Sequence, residues 1–178
     1  MTEHIKLRKL ELEDIDEEYV SWFDNGDGHL NYFTGSGRSF PRDVILEDFH
    51  KAAETGLWVY YLIESDSGEK IGNVKIGPMD TRNKTSDLVC IVGNRKLLGK
   101  GLAKAAISMA NKIAFEEHDI RRLQGGIYAG NISSIKAYTG GGWFIEATMK
   151  GFYLFNGEPQ DRICVACLNP KYFPVEPA

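Results

Sequence analysis

The sequence predicts an α/β (α+β) fold, a mixed and mostly antiparallel central sheet flanked by helices, and three observations predict it. Residues 57–79 and 142–168 each read as two alternating strands around a glycine-containing turn, `DSGE` or `NGEP`, which is the pattern of an antiparallel hairpin. The run `SDLVCIVG` is too apolar to face water on one side and reads as a strand buried on both faces. Segments with apolar residues at helical spacing separate these strands, so helices are available to cover the sheet.

Taken in order, `HIKLRKLEL` alternates from Ile5 to Leu12 and is a first strand. The acidic stretch `ELEDIDEEYVSWFDNG` then starts a helix, because carboxylates suit the positive end of a helix and Ile15, Tyr19, Val20 and Trp22 share one face. Between Asn25 and Phe40 a glycine-rich polar loop carries His29, Tyr32 and Phe33. Pro41 opens a second helix that Gly56 stops. The first hairpin and the buried strand follow. From Gly99 to about His118, Leu102, Ala106, Ala110 and Ile113 recur at helical spacing, joined by Ile107 and Ala114. `RRLQGGIYAG` is a strand, `NISSIKAY` a helix, and the second hairpin closes the chain. The predicted order is β-α-α-β-β-β-α-β-α-β-β, in a single domain over residues 1–178.

A chain of 178 residues buries roughly two thirds of the surface its unfolded form exposes. Its 43% hydrophobic and 26% charged residues suit a globular fold and not a disordered one. No apolar run reaches the roughly 20 residues of a membrane span, and `MTEHIKLRKLELED` lacks the apolar segment of a secretory signal, so a cytoplasmic location is expected. With net charge −4 and pI near 5.6 there is no basic stripe for nucleic acid. Cys164 and Cys167 should point to opposite faces of a strand, so buried thiols are expected and no metal. A small molecule or a protein terminus fits these limits as partner, and a homodimer is compatible with them.

The stretch `NRKLLGKGLAKAAI` carries the chemistry. A strand ending at Val92-Gly93, a short loop and a helix start gather free backbone N–H groups at one point, with the positive end of the helix dipole behind them. Glycine at 99 and 101 keeps Cβ atoms away from a bulky anion, although glycine would also serve a plain turn. Two known phosphate loops do not fit. The Walker pattern needs Ser or Thr after its lysine, the dinucleotide pattern needs a third glycine, and Gly99-Lys100-Gly101-Leu102-Ala103-Lys104 supplies neither.

`KLLGKGLA` after a strand, followed by `NISSIKAYTGGGW`, resembles the acyl-CoA signature of the GNAT N-acetyltransferase superfamily. That family has Arg or Gln, two residues, Gly, one residue, then Gly or Ala at a helix start. It later has Asn-x-x-Ser-x-x-x-Tyr before a glycine-aromatic pair, matched here by Asn131, Ser134, Tyr138 and Gly142-Trp143. The element order is the family's too. Two positions depart from the pattern: Lys96 stands where the family has Arg or Gln, and Gly140-Gly141 replace bulkier residues.

The resemblance implies acetyl-CoA as cosubstrate, its pyrophosphate on the amides of Leu98, Gly99, Lys100, Gly101, Leu102 and Ala103. Its pantetheine arm would run beside Ile91, Val92 and Gly93 between two splayed strands, with Asn131 holding it by its amide and Ser134 contacting the cofactor near its phosphates. Asn131 is also a good helix N-cap. Tyr138 would give a proton to the leaving sulfur while an amide near Ile91 or Val92 polarises the carbonyl. An alkylamine titrates near 10 and must lose a proton before it attacks, so a base is needed. Asp87 is the first candidate, with Asp80, His29 and Tyr60 in reserve. The loop holding Trp22, His29 and Tyr32 resembles the branch that acetylates nucleotide-linked deoxyamino sugars for surface polysaccharides, which makes an amino sugar the expected acceptor and those three residues its binding groups. Polyamine and ribosomal-protein N-terminal acetyltransferases share the pattern, and a non-catalytic acyl-CoA-binding module is the reading from another class.

Overall fold

The computed structural model describes residues 4–26, 28, 30–33 and 39–174. Seven strands form one sheet in the order β1-β2-β3-β4-β5-β7-β6. They are β1 (Ile5–Lys9), β2 (Val59–Ser65), β3 (Lys70–Asp80), β4 (Thr85–Val92), β5 (Arg122–Tyr128), β6 (Phe144–Phe155) and β7 (Glu158–Leu168). Every neighbouring pair is antiparallel except β4 and β5, which are parallel.

Two apolar clusters lie on the two faces. On one, α3 (Leu102–Glu116) and α4 (Ile132–Gly140) bury Leu102, Ala106, Ile107, Ala110, Ala114 and Tyr138 against Ile63, Val74, Leu88, Leu123 and Val165. On the other, α1 (Glu17–Ser21) with Tyr19 and its flanking Ile15, Trp22 and Phe23, and α2 (Arg42–Thr55) with Ile45, Leu46 and Phe49, cover Leu62 and Ile91. β4 feeds both clusters, Leu88 into the first and Ile91 into the second, as its unbroken apolar run predicts. Each such large side chain contributes roughly 1.5–3 kcal/mol by leaving water. Of the paired cysteines, Cys167 sits in the first cluster and Cys164 is half-buried on the other face.

The acidic first helix differs from the expectation, because two of its carboxylates have other partners. Asp14 takes a two-pronged ion pair from Arg8 at 2.6 and 2.7 Å and accepts the Glu11 amide, which holds Leu12–Asp14 in a 3-10 turn. The Arg8 guanidinium holds the Asp14 carboxyl below the usual carboxylate range, against the effect of burial. Asp16 then accepts the Tyr19 amide at 3.0 Å, so a new helix begins at Glu17. No helix among the described residues is long and apolar enough to cross a membrane.

The feature that creates a site is where β4 and β5 part. Their ladder contains only Thr85↔Arg122, Ser86↔Leu123 and Asp87↔Gln124, although β4 continues to Val92 and β5 to Tyr128. Beyond Asp87 the two strands diverge, and a wedge opens in the middle of the sheet.

Candidate active site

The wedge exposes backbone that a sheet would otherwise pair. The Tyr138 hydroxyl donates to the Leu88 carbonyl at 2.7 Å, so that carbonyl faces the wedge. Since backbone groups alternate sides along a strand, Leu88, Cys90 and Val92 present their N–H and C=O groups to the open edge while Val89 and Ile91 turn theirs to β3. The amides left to polarise an acyl oxygen are therefore those of Cys90 and Val92. Ile91 contributes a side chain to the α1–α2 core. Tyr138 itself is buried, its ring edge-on to Trp143 at 4.9 Å. Burial first, then Cys90, push its ionisation well above the phenol range, with the Cys90 amide opposing them, so it keeps its proton at neutral pH.

At the end of β4 the chain passes through Gly93 and a 3-10 turn, Arg95–Leu97, that Asn94 caps by accepting the Lys96 amide. Gly99 has φ +77° and Gly101 φ +79°, and a Cβ on either would meet nothing within 4 Å. Glycine is therefore needed for left-handed backbone and leaves open space above it, which joins the two readings of this loop. Gly101 is the N-cap of α3 and supplies no side-chain cap. The first amides of α3 thus have no intrahelical partner, and they face outward with the helix dipole behind them. Lys96, Lys100 and Lys104 are exposed around them. These residues fit a CoA pyrophosphate.

Asn131 caps α4, its Oδ1 accepting the Ser134 amide at 3.2 Å, which leaves its side-chain N–H groups for a ligand. Ser134 is half-buried beside it. The unusual glycines after Tyr138 have a packing cause. A Cβ on Gly141 would come within 2.8 Å of Ile107, and one on Gly140 within 3.1 Å of the Lys104 chain. Small residues here let α4 press onto α3. Asn111 ties that junction by donating to Gly141 O and accepting from Trp143 Nε1, both at 2.9 Å.

The face carrying α1 and α2 is where an acceptor could approach. Asp87 lies on it at the vertex of the wedge, half-buried. Asp80 is instead held in a surface turn by the amides of Arg82 and Asn83 and lies away from the wedge. Trp22 does not offer a stacking face. It is 3% exposed and packs where a Cβ of Gly93 would be, so it braces the end of β4 from below. Tyr32 does reach this face, stacked on Phe155 at 4.8 Å and tilted against Tyr128 at 5.6 Å. His29 lies outside the described residues. Tyr60 donates to Asp48 of α2, and burial raises its ionisation far above neutral pH.

The structure adds residues that the linear reading missed. Tyr128 stacks on Tyr153 at 4.0 Å, and Arg162 lies over Phe152 and Tyr153. Lys75 lies over Trp58 and pairs with Asp48 at 3.3 Å. The signal that could have found the ring cluster is strand alternation, since Tyr128 and Arg162 are directly paired, and so are Tyr153 and Gln160. Using it requires knowing that β7 inserts between β5 and β6.

A wedge for an extended thiol arm, a free-amide cradle at its end and a protonated tyrosine inside it define an acyl-CoA-dependent acyltransferase. The chain belongs to the GNAT acetyltransferase family, whose domain model matches residues 4–143. It is an N-acetyltransferase that uses acetyl-CoA as cosubstrate. Among known proteins it is 25% identical over 171 residues to the spermidine N(1)-acetyltransferase of Escherichia coli K12, covering 94% of this chain and 88% of that protein. In structure it is similar to a spermidine N-acetyltransferase of Vibrio cholerae in complex with CoA and spermine (TM-score 0.83, 20% identity, covering 95% of this chain and 98% of that one). It also resembles mutant forms of the spermidine/spermine N-acetyltransferase of that organism (TM-score 0.77, 18% identity, 96% and 98% coverage).

Proposed function

We propose that the acceptor is a polyamine and that the chain acetylates one of its primary amines by direct attack. The observation that carries this reading is a set of rings, Tyr32, Tyr128, Tyr153 and Phe155, on the same face as the carboxylates of Asp48 and Asp87. Aromatic faces and carboxylates are what a flexible polycation needs, since each ring near an ammonium contributes roughly 0.5–2 kcal/mol. The relatives named for spermidine support the same choice. An amino-sugar acceptor has less support, because it was drawn from the loop around Trp22, and that ring is buried.

Bound in the cradle, acetyl-CoA supplies an activated acetyl thioester. Asp87 accepts the proton the ammonium must lose, directly or through water, and the neutral nitrogen bonds to the acyl carbon. The Cys90 and Val92 amides donate to the acyl oxygen as charge gathers on it. The carbon–sulfur bond breaks, Tyr138 gives its proton to the leaving sulfur, and the second proton that the attacking nitrogen sheds on becoming an amide restores the phenol. Asn131 and Ser134 hold the thiol arm in line, and amides 98–103 hold the pyrophosphate. Tyr32 contributes to the acceptor surface.

Release of CoA thiol is measured with spermidine, spermine, a nucleotide-linked 4-amino sugar and a peptide with a free N-terminus. Polyamines should give the highest kcat/KM. Turnover of the sugar or the peptide with none on either polyamine would overturn the polyamine reading.

A further inference from the structure

Among the described residues, three buried side-chain polar atoms have no partner: Trp58 Nε1, Gln160 Oε1 and Arg162 Nε. Buried polar atoms are nearly always hydrogen-bonded, so their common position on the acceptor face marks it as built for something else. Arg162 is the most telling, because no carboxylate among the described residues pairs with it.

Its guanidinium lies flat against β5. A Cβ on Gly126 would fall 2.1 Å from Arg162 Nε and 2.6 Å from Cζ, so glycine is required for the group to lie there. Phe152 and Tyr153 cover it from the other side at 5.0 and 5.9 Å. Gly126 is two residues beyond Gln124, the last β5 residue still paired with β4. The cation is thus held at the edge of the wedge, where a nucleophile coming from this face must pass to reach an acyl group lying along β4.

The geometry points to Arg162 as a specificity and rate-determining residue: a fixed positive charge, without a carboxylate partner among the described residues, that admits the reacting amine only as its free base. A cation beside an amine disfavours the ammonium form and lowers its pKa. This acts with Asp87, which takes the proton that Arg162 makes easier to lose. No covalent step is added. The inference rests on acetyl transfer at the wedge, whichever amine is the natural acceptor.

Other titratable groups face the guanidinium: Tyr153 from β6, Tyr128 from β5, Cys164 from β7, Asp87 from β4 and Tyr32 from the loop, while the Lys150–Asp161 pair lies on the opposite face of β7. Burial and its neighbours raise the Tyr153 phenol, and Arg162 opposes them, so losing Arg162 moves Tyr153 further from neutral pH.

The test is the pH profile of kcat for Arg162→Gln, which reports ionisations in the enzyme–substrate complex. Spermidine and an uncharged-tailed monoamine serve as acceptors, with acetyl-CoA affinity measured alongside. Without the cation the acid limb of kcat should move to higher pH by about 1.5 to 2.5 units, from a unit charge at roughly 5–8 Å and an effective dielectric near 20. At pH 7, kcat should fall at least about tenfold while KM for spermidine also falls, and the loss should vanish near pH 10. Arg162→Lys should keep the wild-type limb. Gly126→Ala, which displaces the guanidinium without deleting it, should shift the limb the same way and stands in if Arg162→Gln does not fold. A pH-independent loss, or a loss confined to amines that also carry a carboxylate or phosphate, would overturn the inference. If spermidine is not acetylated but the limb shifts with the monoamine, only the polyamine reading fails.

Discussion

At the scale of single residues, Tyr138 is the side chain whose role can be isolated best. Its hydroxyl donates to Leu88 O at 2.7 Å, at the open edge of β4, with the Cys90 amide directed at it. Removing one such bond costs about 1 kcal/mol of stability. Removing a positioned general acid costs roughly 10²–10⁴ in rate. Tyr138→Phe should therefore lower kcat at least a hundredfold while its acetyl-CoA Kd, read by calorimetry, stays within about threefold of wild type. Comparable losses in both would make Tyr138 a wall of the wedge and not its acid. Asp87→Asn differs in kind, because in the proposed mechanism it leaves the ammonium without an acceptor for its proton. Its kcat should recover as pH rises toward the amine's own pKa, near 10.

At the scale of elements, the cradle depends on how β4 ends and α3 begins, and two glycines show that these ends are held differently. Gly93 is occupied from below, since the Trp22 ring lies 2.1 Å from where its Cβ would be. Gly101 has open space but φ +79°. Gly93→Ala must push α1 away from β4, and overpacking of that kind costs about 1–3 kcal/mol. Gly101→Ala is strained by about 1–2 kcal/mol and can relax only by turning the amides that face the pyrophosphate. Both variants should melt lower than wild type, but Gly101→Ala should lose more acetyl-CoA affinity per degree of melting temperature lost. Equal losses would mean that the loop has no binding role. This difference also marks what could be read from the chain. Helical periodicity from Leu102 to Ala114 and the Asn131–Tyr138 spacing are local patterns, so α3 and α4, which frame the cradle, were legible. Trp22 was misplaced because an aromatic in a glycine-rich neighbourhood looks the same whether it faces solvent or a strand end. Arg162 was missed because its meaning depends on a glycine 36 positions earlier, brought beneath it by strand pairing.

For the whole molecule, the consequence of the wedge is a sheet joined at its centre by a short parallel ladder. Strands β1 to β4 form one continuous antiparallel unit and β5, β7 and β6 another, and only three residue pairs link them, Thr85↔Arg122 to Asp87↔Gln124. The helices complete the connection: α3 and α4 pack in one cluster with residues of both units, including Val74 and Leu88 from the first and Leu123 and Val165 from the second. Beyond Asp87 the facing edges carry unpaired backbone amides, which exchange with solvent readily because nothing in the sheet protects them. On the proposed binding mode a thiol arm lying along β4 would supply the missing partners there, and the cradle amides would gain a pyrophosphate at the same time. Saturating acetyl-CoA at about a hundred times its Kd should add about 2.7 kcal/mol of stability by linkage. For a chain of this size that raises Tm by roughly 5–10 °C. Hydrogen exchange should show where the gain arises. The Cys90 and Val92 amides on the wedge and the amides of 99–104 should slow markedly, whereas those of Val89 and Ile91, already turned to β3, should change little. Uniform slowing along β4 would mean that the ligand tightens the fold as a whole, and that the wedge is not the surface it binds.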